Sequence, residues 1–133
     1  MQTVFVNGCF DILHRGHIEL FKFASALGDK LIVALDTDDR IKISKGESRP
    51  HNSLEDRKEM LLAIKWIDKV LSFSTDSELE NLIKNIKPDK MIVGSDWQGK
   101  NVIGAQHAKN LIFFERIGEY STTKTIQHIG NRR

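Results

Sequence analysis

Ten residues near the start of the chain, GCFDILHRGH from Gly8 to His17, carry the densest chemistry in the sequence. Two imidazoles, His14 and His17, stand three residues apart, with Gly16 directly before the second. An apolar, β-branched run leads in and a helix-like run leads out. A helix beginning there presents unpaired N–H groups and the positive end of its dipole, which suits phosphate. Gly8 permits a sharp turn after the strand, and Gly16 lets backbone approach a ligand at the helix start. Both histidines then flank one anion, each able to donate to phosphate oxygens, more strongly when protonated. The plainer alternative is a pair of surface histidines in a loop. It suits a lone imidazole better than H-x-G-H at a strand–helix junction.

Those residues need a frame. Thr3 to Asn7 (TVFVN) reads as a buried strand. The spacing predicts a helix over Gly16 to Leu27, with Ile18, Phe21, Ala24 and Ser25 on one side and Leu20, Phe23 and Leu27 widening the stripe. Gly28 is its natural stop. Lys30 to Leu35 (KLIVAL) is a second buried strand, followed by a polar, glycine-containing stretch from Asp36 to Asn52. Ser53 and Asp56 resemble a capping box that opens a helix carrying Met60, Leu61, Ile64 and Ile67. Lys69 to Phe73, Lys90 to Gly94 and Leu111 to Glu115 are further strands. Asp76 to Asn85 is a helix with Leu79, Leu82 and Ile83 inward, and Ser121 to Ile129 is a closing helix capped by Ser121 or Thr122.

Continuously apolar strands alternating with helices form the pattern of a parallel sheet covered on both faces. The expected fold is α/β: a Rossmann-like, doubly wound, five-stranded parallel sheet in a single domain over residues 1–133. Ligands in such sheets bind at the carboxyl ends of the strands. That directs attention to residues 8–17, 36–52, 95–100 and 116–123.

Bulk properties agree with a soluble domain. The chain has 133 residues, 40% hydrophobic and 29% charged, enough for one real core without staples. A formal net charge of +2 gives no argument for nucleic acid or a membrane surface. Cys9 is the single cysteine, so no internal disulfide forms and a reducing cytoplasm is expected. No apolar run approaches the roughly 18 residues of a membrane span. The opening residues do not read as a secretory leader.

GCFDILHRGH resembles the G-x-F-D-x-x-H-x-G-H signature of the cytidylyltransferase-like nucleotidyltransferases. STTK at Ser121–Lys124 is similar to the family's second signature, a helix start that holds the β and γ phosphates. LEDRK at Leu54–Lys58 and GSDWQGK at Gly94–Lys100 match family segments in the same order. Two branches of the family compete. DWQGK and RIGEYSTT, from Arg116, are similar to the D-W-x-G-K and R-x-x-x-x-S-T-T segments of glycerol-3-phosphate cytidylyltransferase. KGESRPHNSLEDR, Lys45–Arg57, resembles the K-G-x-x-R-P-x-N-x-x-E-x-R loop of the adenylyltransferase that makes ADP-heptose from heptose 1-phosphate. VIGA at Val102–Ala105 is similar to that second branch too. The cytidylyltransferase branch departs at two positions: Lys65 replaces an arginine, losing a planar two-pronged contact, and Cys9 replaces a threonine.

The resemblance implies a reaction in which a nucleoside triphosphate and a phosphorylated polyol or sugar give a nucleoside diphosphate derivative and pyrophosphate. Cytidylyl transfer from CTP to a glycerol 3-phosphate-like acceptor is the expected form, and ADP-heptose synthesis from ATP is the alternative. Catalysis by placement and charge neutralisation would suffice. His14 and His17 would stabilise the α-phosphate. Lys45, on a loop expected to overhang the site, would bridge the nucleotide and acceptor phosphates. Arg116, Ser121, Thr122 and Thr123 would grip the outer phosphates. Gly8, Cys9, Phe10 and Gly16 would line the nucleotide, with Asp96 accepting from an exocyclic amine of the base and Trp97 walling its pocket. Asp11, Asp38, Lys42, Arg57 and Lys65 would face the acceptor; Asp11 and Asp38 could instead hold loops. Mg²⁺ would bridge phosphates and keep most of its waters, with no tight protein metal site. A homodimer is implied. Cys9 has no base assigned to it and is expected to pack rather than attack. A nucleotide-binding module without turnover is the competing class, and the intact His14–His17 pair, Lys45 and STTK weigh against it. A receiver-like signalling domain would need a phosphorylatable aspartate that the Ser72–Asp76 segment does not supply.

Overall fold

The structure, a computed structural model, describes residues 1–115. Five parallel strands form one sheet in the order β3-β2-β1-β4-β5: β1 (Thr3–Gly8), β2 (Lys30–Asp36), β3 (Lys69–Phe73), β4 (Lys90–Gly94) and β5 (Asn110–Phe114). Helices α1 (Arg15–Ala26), α2 (Asp38–Lys45), α3 (Leu54–Leu62) and α4 (Asp76–Ile86) connect them. This is the expected Rossmann-like α/β architecture. The expected closing helix at 121–129 lies outside the described residues.

The strands are apolar throughout because both sheet faces are covered. Val4, Val6, Leu31, Val33, Leu35, Val70 and Ile92 pack with Phe21 and Ala24 of α1 and Leu61 of α3. The alternate residues Phe5, Ile32, Ala34, Phe73 and Met91 meet Leu79 and Ile83 of α4 on the other face. No helix among the described residues is long and apolar enough to cross a membrane.

Three features differ from the expectation. The polar stretch 36–52 contains α2, which buries only Ile41. Its helical signal is electrostatic: Asp38 and Asp39 stand in the first turn, Lys42 and Lys45 in the last, each complementing the dipole. Helix α3 stops at Leu62, leaving Met60 57% exposed while Ile64 and Ile67 pack from the following turn. The sharp turn expected at Gly8 falls at Phe10, whose φ is 46°. A left-handed non-glycine costs about 1 kcal/mol or more. Phe10 offsets this by burying its ring against Phe21, 5.0 Å between centroids. Gly8 is needed for space, since a Cβ there would stand 3.0 Å from the Phe10 ring.

At the amino edge, three Asp-Lys pairs precede β2, β3 and β4. Each aspartate makes the same two-way contact with a neighbouring strand. The Asp29 N–H donates to Gln2 O at 2.8 Å, and the Gln2 N–H donates to Asp29 Oδ2 at 2.7 Å. Asp68 does this with Leu31, at 2.9 and 2.8 Å, and Asp89 with Thr3, at 2.9 and 2.7 Å. The pins satisfy strand-start N–H groups and oppose register slips, which would break both bonds at once. The Thr3 amide, and after it Lys109, hold the Asp89 carboxyl below its ordinary value of 3.8. A depressed folded value stabilises the protein above the unfolded value, and that stability is lost as pH falls through the folded one. Replacing Asp89→Asn should therefore flatten the loss of unfolding free energy below pH 3.8, measured by urea melts across pH. An unchanged acid limb contradicts the pin.

Candidate active site

The strand order reverses between β1 and β4, the topological switch point where doubly wound sheets open a ligand crevice. β1 pairs with β2 along six residues, Thr3 to Gly8, but with β4 only at Val4 and Phe5. Beyond those pairs β1 and β4 part, and a cleft of about 380 Å³ opens at their carboxyl ends. Gly8, Cys9, Phe10, Asp11, His14 and His17 line it from the β1 side, Lys45 and Arg49 from the loop after α2, and Asp96 and Trp97 from beyond β4.

His14 is the N-cap of α1, in extended conformation at φ −140° and ψ 176°. Its carbonyl accepts from the His17 and Ile18 amides at 3.0 and 3.3 Å. The His14 N–H donates to His17 Nδ1 at 3.2 Å. An imidazole nitrogen that accepts carries no proton, so neutral His17 bears its proton on Nε2. The two rings stack with centroids 3.8 Å apart and planes at 21°, and Phe10 meets His17 edge-on at 5.3 Å. Backbone and packing thus fix both imidazoles at the positive end of α1. Two stacked imidazolium ions would repel, and an anion beside them removes that cost.

Two buried charges hold the walls. The Asp11 carboxylate accepts from the backbone N–H groups of His51 and Asn52 at 2.6 and 2.7 Å, and the Asn52 amide donates to Asp11 O at 2.7 Å. Asp11 is 4% exposed and lines the cleft, and its carboxylate clamps the cation-bearing loop, as the loop-holding alternative expects. Arg57, expected to face the acceptor, is instead buried at 1% exposure with its donors turned into the protein. Its guanidinium donates to Asn52 O at 3.1 Å, Cys9 O at 3.0 Å, Asp36 O at 2.8 Å and Asp38 Oδ1 at 2.7 Å. Arg57 ties the ends of β1 and β2, the start of α2 and the loop into one body. Asp38 is its ion-pair partner.

The remaining expected residues fall as follows. Lys45 reaches the cleft. Lys42, one turn earlier on α2, is exposed and does not line it. Lys65 lies before β3 at the opposite edge of the sheet, its ammonium 5.1 Å from the Trp66 ring centre, so the acceptor role expected for it is corrected. Gly16 sits in the first turn of α1. Asp96 and Trp97 form a 3-10 turn after β4. Gly94 makes room for that turn, because a Cβ there would stand 2.6 Å from Asp96 Oδ1. Arg116, Ser121, Thr122 and Thr123 lie outside the described residues. Arg49 is a charged cleft residue that sequence reasoning left out of the site: its Nε is 3.6 Å from Asp11 Oδ2, and the side chain is 13% exposed. Its place beside Lys45 in the KGESRP segment was the available signal. Burial, and after it Asp36, push the Cys9 thiol up to about 11, which leaves it protonated and unreactive at neutral pH.

A parallel α/β sheet with paired histidines and two cations at its switch point defines a phosphate-handling domain of the nucleotidyltransferase class. The family model described as "Cytidylyltransferase-like" matches residues 5–126, and the chain belongs to that family. Over 128 residues, 96% of its length, it is 47% identical to "Bifunctional protein HldE" of Sulfurimonas denitrificans. It is 47% identical over the same length to the protein of that name from Helicobacter hepaticus. These matches cover 27% and 26% of those proteins, so the chain spans about a quarter of the length of the curated relatives it matches. A solved structure, the lipopolysaccharide core biosynthesis protein from Thermoplasma volcanium GSS1, superposes with a TM-score of 0.68 at 25% identity. It covers 91% of this chain and 99% of its own.

Two outcomes follow from the geometry. Arg57→Met strands Asp38 and three carbonyls, and should cost about 3–5 kcal/mol in urea unfolding; a change under about 1 kcal/mol contradicts the strut. Cys9 should be alkylated by iodoacetamide at pH 8 far more slowly than a free thiol with its ordinary value near 8.5, followed by intact mass. Labelling at the free-thiol rate contradicts its burial.

Proposed function

We propose that the chain catalyses transfer of the adenylyl group of ATP to the phosphate of heptose 1-phosphate, giving ADP-heptose and pyrophosphate. The observation that carries this reading is the cation-bearing loop. KGESRPHNSLEDR resembles the loop of the heptose 1-phosphate adenylyltransferases, and in the fold it brings Lys45 and Arg49 to the stacked histidines. The HldE relatives and the lipopolysaccharide core biosynthesis structure favour this reading over the expected CTP and glycerol 3-phosphate pair.

In the reaction, an oxygen of the acceptor phosphate forms a bond to the α-phosphorus, the bond from that phosphorus to the β-bridging oxygen breaks, and pyrophosphate leaves. No side chain is bonded covalently, so the site works by placement and charge. His14 and His17 Nε2 donate to the α-phosphate oxygens, where charge grows. Lys45 and Arg49 neutralise the approaching acceptor phosphate. Asp96 accepts from the adenine amine, and Trp97 walls the base. Arg116 and Ser121–Thr123 take the outer phosphates. Mg²⁺ would be carried by the triphosphate and would supply charge neutralisation there; of the carboxylates facing the cleft, Asp11 accepts from two amides, and Asp96 is the one this reading gives to the base. A homodimer and a cytoplasmic location complete the proposal.

The test is pyrophosphate release from four nucleoside triphosphates, each with heptose 1-phosphate and glycerol 3-phosphate. ATP with heptose 1-phosphate should be the best pair. His14→Ala should lower kcat by about 10²–10³-fold with an unchanged thermal melt. If CTP with glycerol 3-phosphate is best, the proposed substrates are wrong. If no pair releases pyrophosphate, the chain is a binding module.

A further inference from the structure

Among the described residues, helix α2 is tied to the sheet at its first turn. The Thr37 N–H donates to Phe73 O at 3.1 Å, the Thr37 and Ser74 hydroxyls lie 3.0 Å apart, and Arg57 reaches Asp38 at 2.7 Å. Beyond Ile41, its one buried residue, Lys42 to Lys45 are all exposed. Gly46, at φ 101°, ends the helix, and the chain is next tied to the body at Arg49 and His51, through Asp11. Lys45 therefore reaches the cleft from the far end of a short arm.

Arg40 sets the direction of that arm. Its Nε donates to Asp36 Oδ2 at 3.1 Å, at the end of β2, and its Nη2 donates to Asp76 Oδ1 at 2.7 Å, in the first turn of α4. Its Nη1 donates to Ser74 O at 3.4 Å, and the guanidinium lies 5.0 Å from the Phe73 ring centre, at the end of β3. Three elements grip one planar group, which fixes its orientation as a flexible ammonium would not. The Asp76 side chain is 70% exposed, and a pair so open to water adds little stability. What the pair supplies is geometry. Arg40 and Lys45 stand about 7.5 Å apart along the helix axis, so a tilt of about 10° carries Lys45 by about 1 Å. A displacement of that size is enough to spoil catalytic placement. Neither Arg40 nor Asp76 lines the histidine cleft. Arg40 does border a neighbouring hollow of about 280 Å³ with Asp36, Leu79 and Val102, which Asp76 does not line.

We infer that Arg40 is a positioning residue for Lys45: its link to Asp76 fixes the tilt of α2, and with it the place of the Lys45 ammonium over the cleft. The assignment rests on the functional reading above, in which Lys45 neutralises the acceptor phosphate, and deepens it. Arg40 and Asp76 act on the acceptor only through Lys45.

Arg40→Gln and Asp76→Asn test this, because they break one link while changing charge in opposite directions. Charge alone makes the first weaken capture of an anionic acceptor and the second strengthen it. A lost link makes both weaken it. In pyrophosphate-release kinetics, each variant should raise the KM of the better acceptor, heptose 1-phosphate or glycerol 3-phosphate, by about fivefold or more, with the KM of the nucleotide within about twofold. In a Lys45→Ala background neither change should add a further loss, since the positioned group is gone. Asp76→Asn alters an exposed side chain, so it carries the test if Arg40→Gln fails to fold. Native-state hydrogen exchange reads the arm without turnover: the Ile41 and Gly46 amides should exchange about tenfold faster in both variants, with the α1 amides unchanged. Opposite KM shifts, an unchanged acceptor KM, additive losses over Lys45→Ala or unchanged α2 exchange each overturns the assignment. If no substrate pair turns over, faster exchange confined to α2 upholds the link, and the adenylyltransferase reading alone fails.

Discussion

A guanidinium buried under the carboxyl edge of the sheet is the constraint from which the site follows. Arg57 spends its donors on carbonyls of Cys9, Asp36 and Asn52 and on the Asp38 carboxylate. These acceptors come from segments far apart in the chain, and one charge brings them to fixed separations. Burying a guanidinium is costly unless its hydrogen bonds are met, so the bonds are mutually dependent. Asp11 does the converse from the other side, a buried carboxylate whose acceptors are filled by loop amides. Between them, the cation-bearing loop is held against the β1–α1 junction by the protein's own hydrogen bonds.

Given that frame, the cleft needs little more than topology. The sheet order places β4 beside β1, and the short β1–β4 ladder lets the strands part just where α1 begins. The positive end of α1 then faces the gap, and the His14 amide orients His17 through Nδ1. Stability and function divide along the strands. The aspartate pins at the amino edge fix register, and the carboxyl edge is left to loops, glycine and histidine.

The fold was largely legible because its signals are local and redundant: apolar runs for the strands, Ser53 for the start of α3, Leu79 and Ile83 for the inner face of α4. The GCFDILHRGH turn was legible for the same reason, as imidazole spacing needs no tertiary information. Helix α2 was missed because hydrophobic periodicity is nearly absent from it and charge placement marks it instead. Arg57 and Lys65 were misplaced for a different reason. A sequence does not say whether an arginine on a helix looks outward or meets four oxygens inside, nor at which edge of a sheet a lysine ends up. Those answers depend on long-range contacts such as Arg57 to Cys9. The hollow lined by Asp36, Leu79 and Val102 was illegible on the same ground, since those residues converge only after the sheet is built.

The central claim is that the stacked His14–His17 pair is a seat for a nucleotide α-phosphate. The most direct measurement is the ring ¹H and ¹⁵N resonances of the two histidines during titration with a non-hydrolysable ATP analogue. Both sets of signals should move together along one saturable curve, with His17 keeping its Nε2-protonated form. If the analogue binds while both rings stay at their free positions, the phosphate sits elsewhere and the account is wrong.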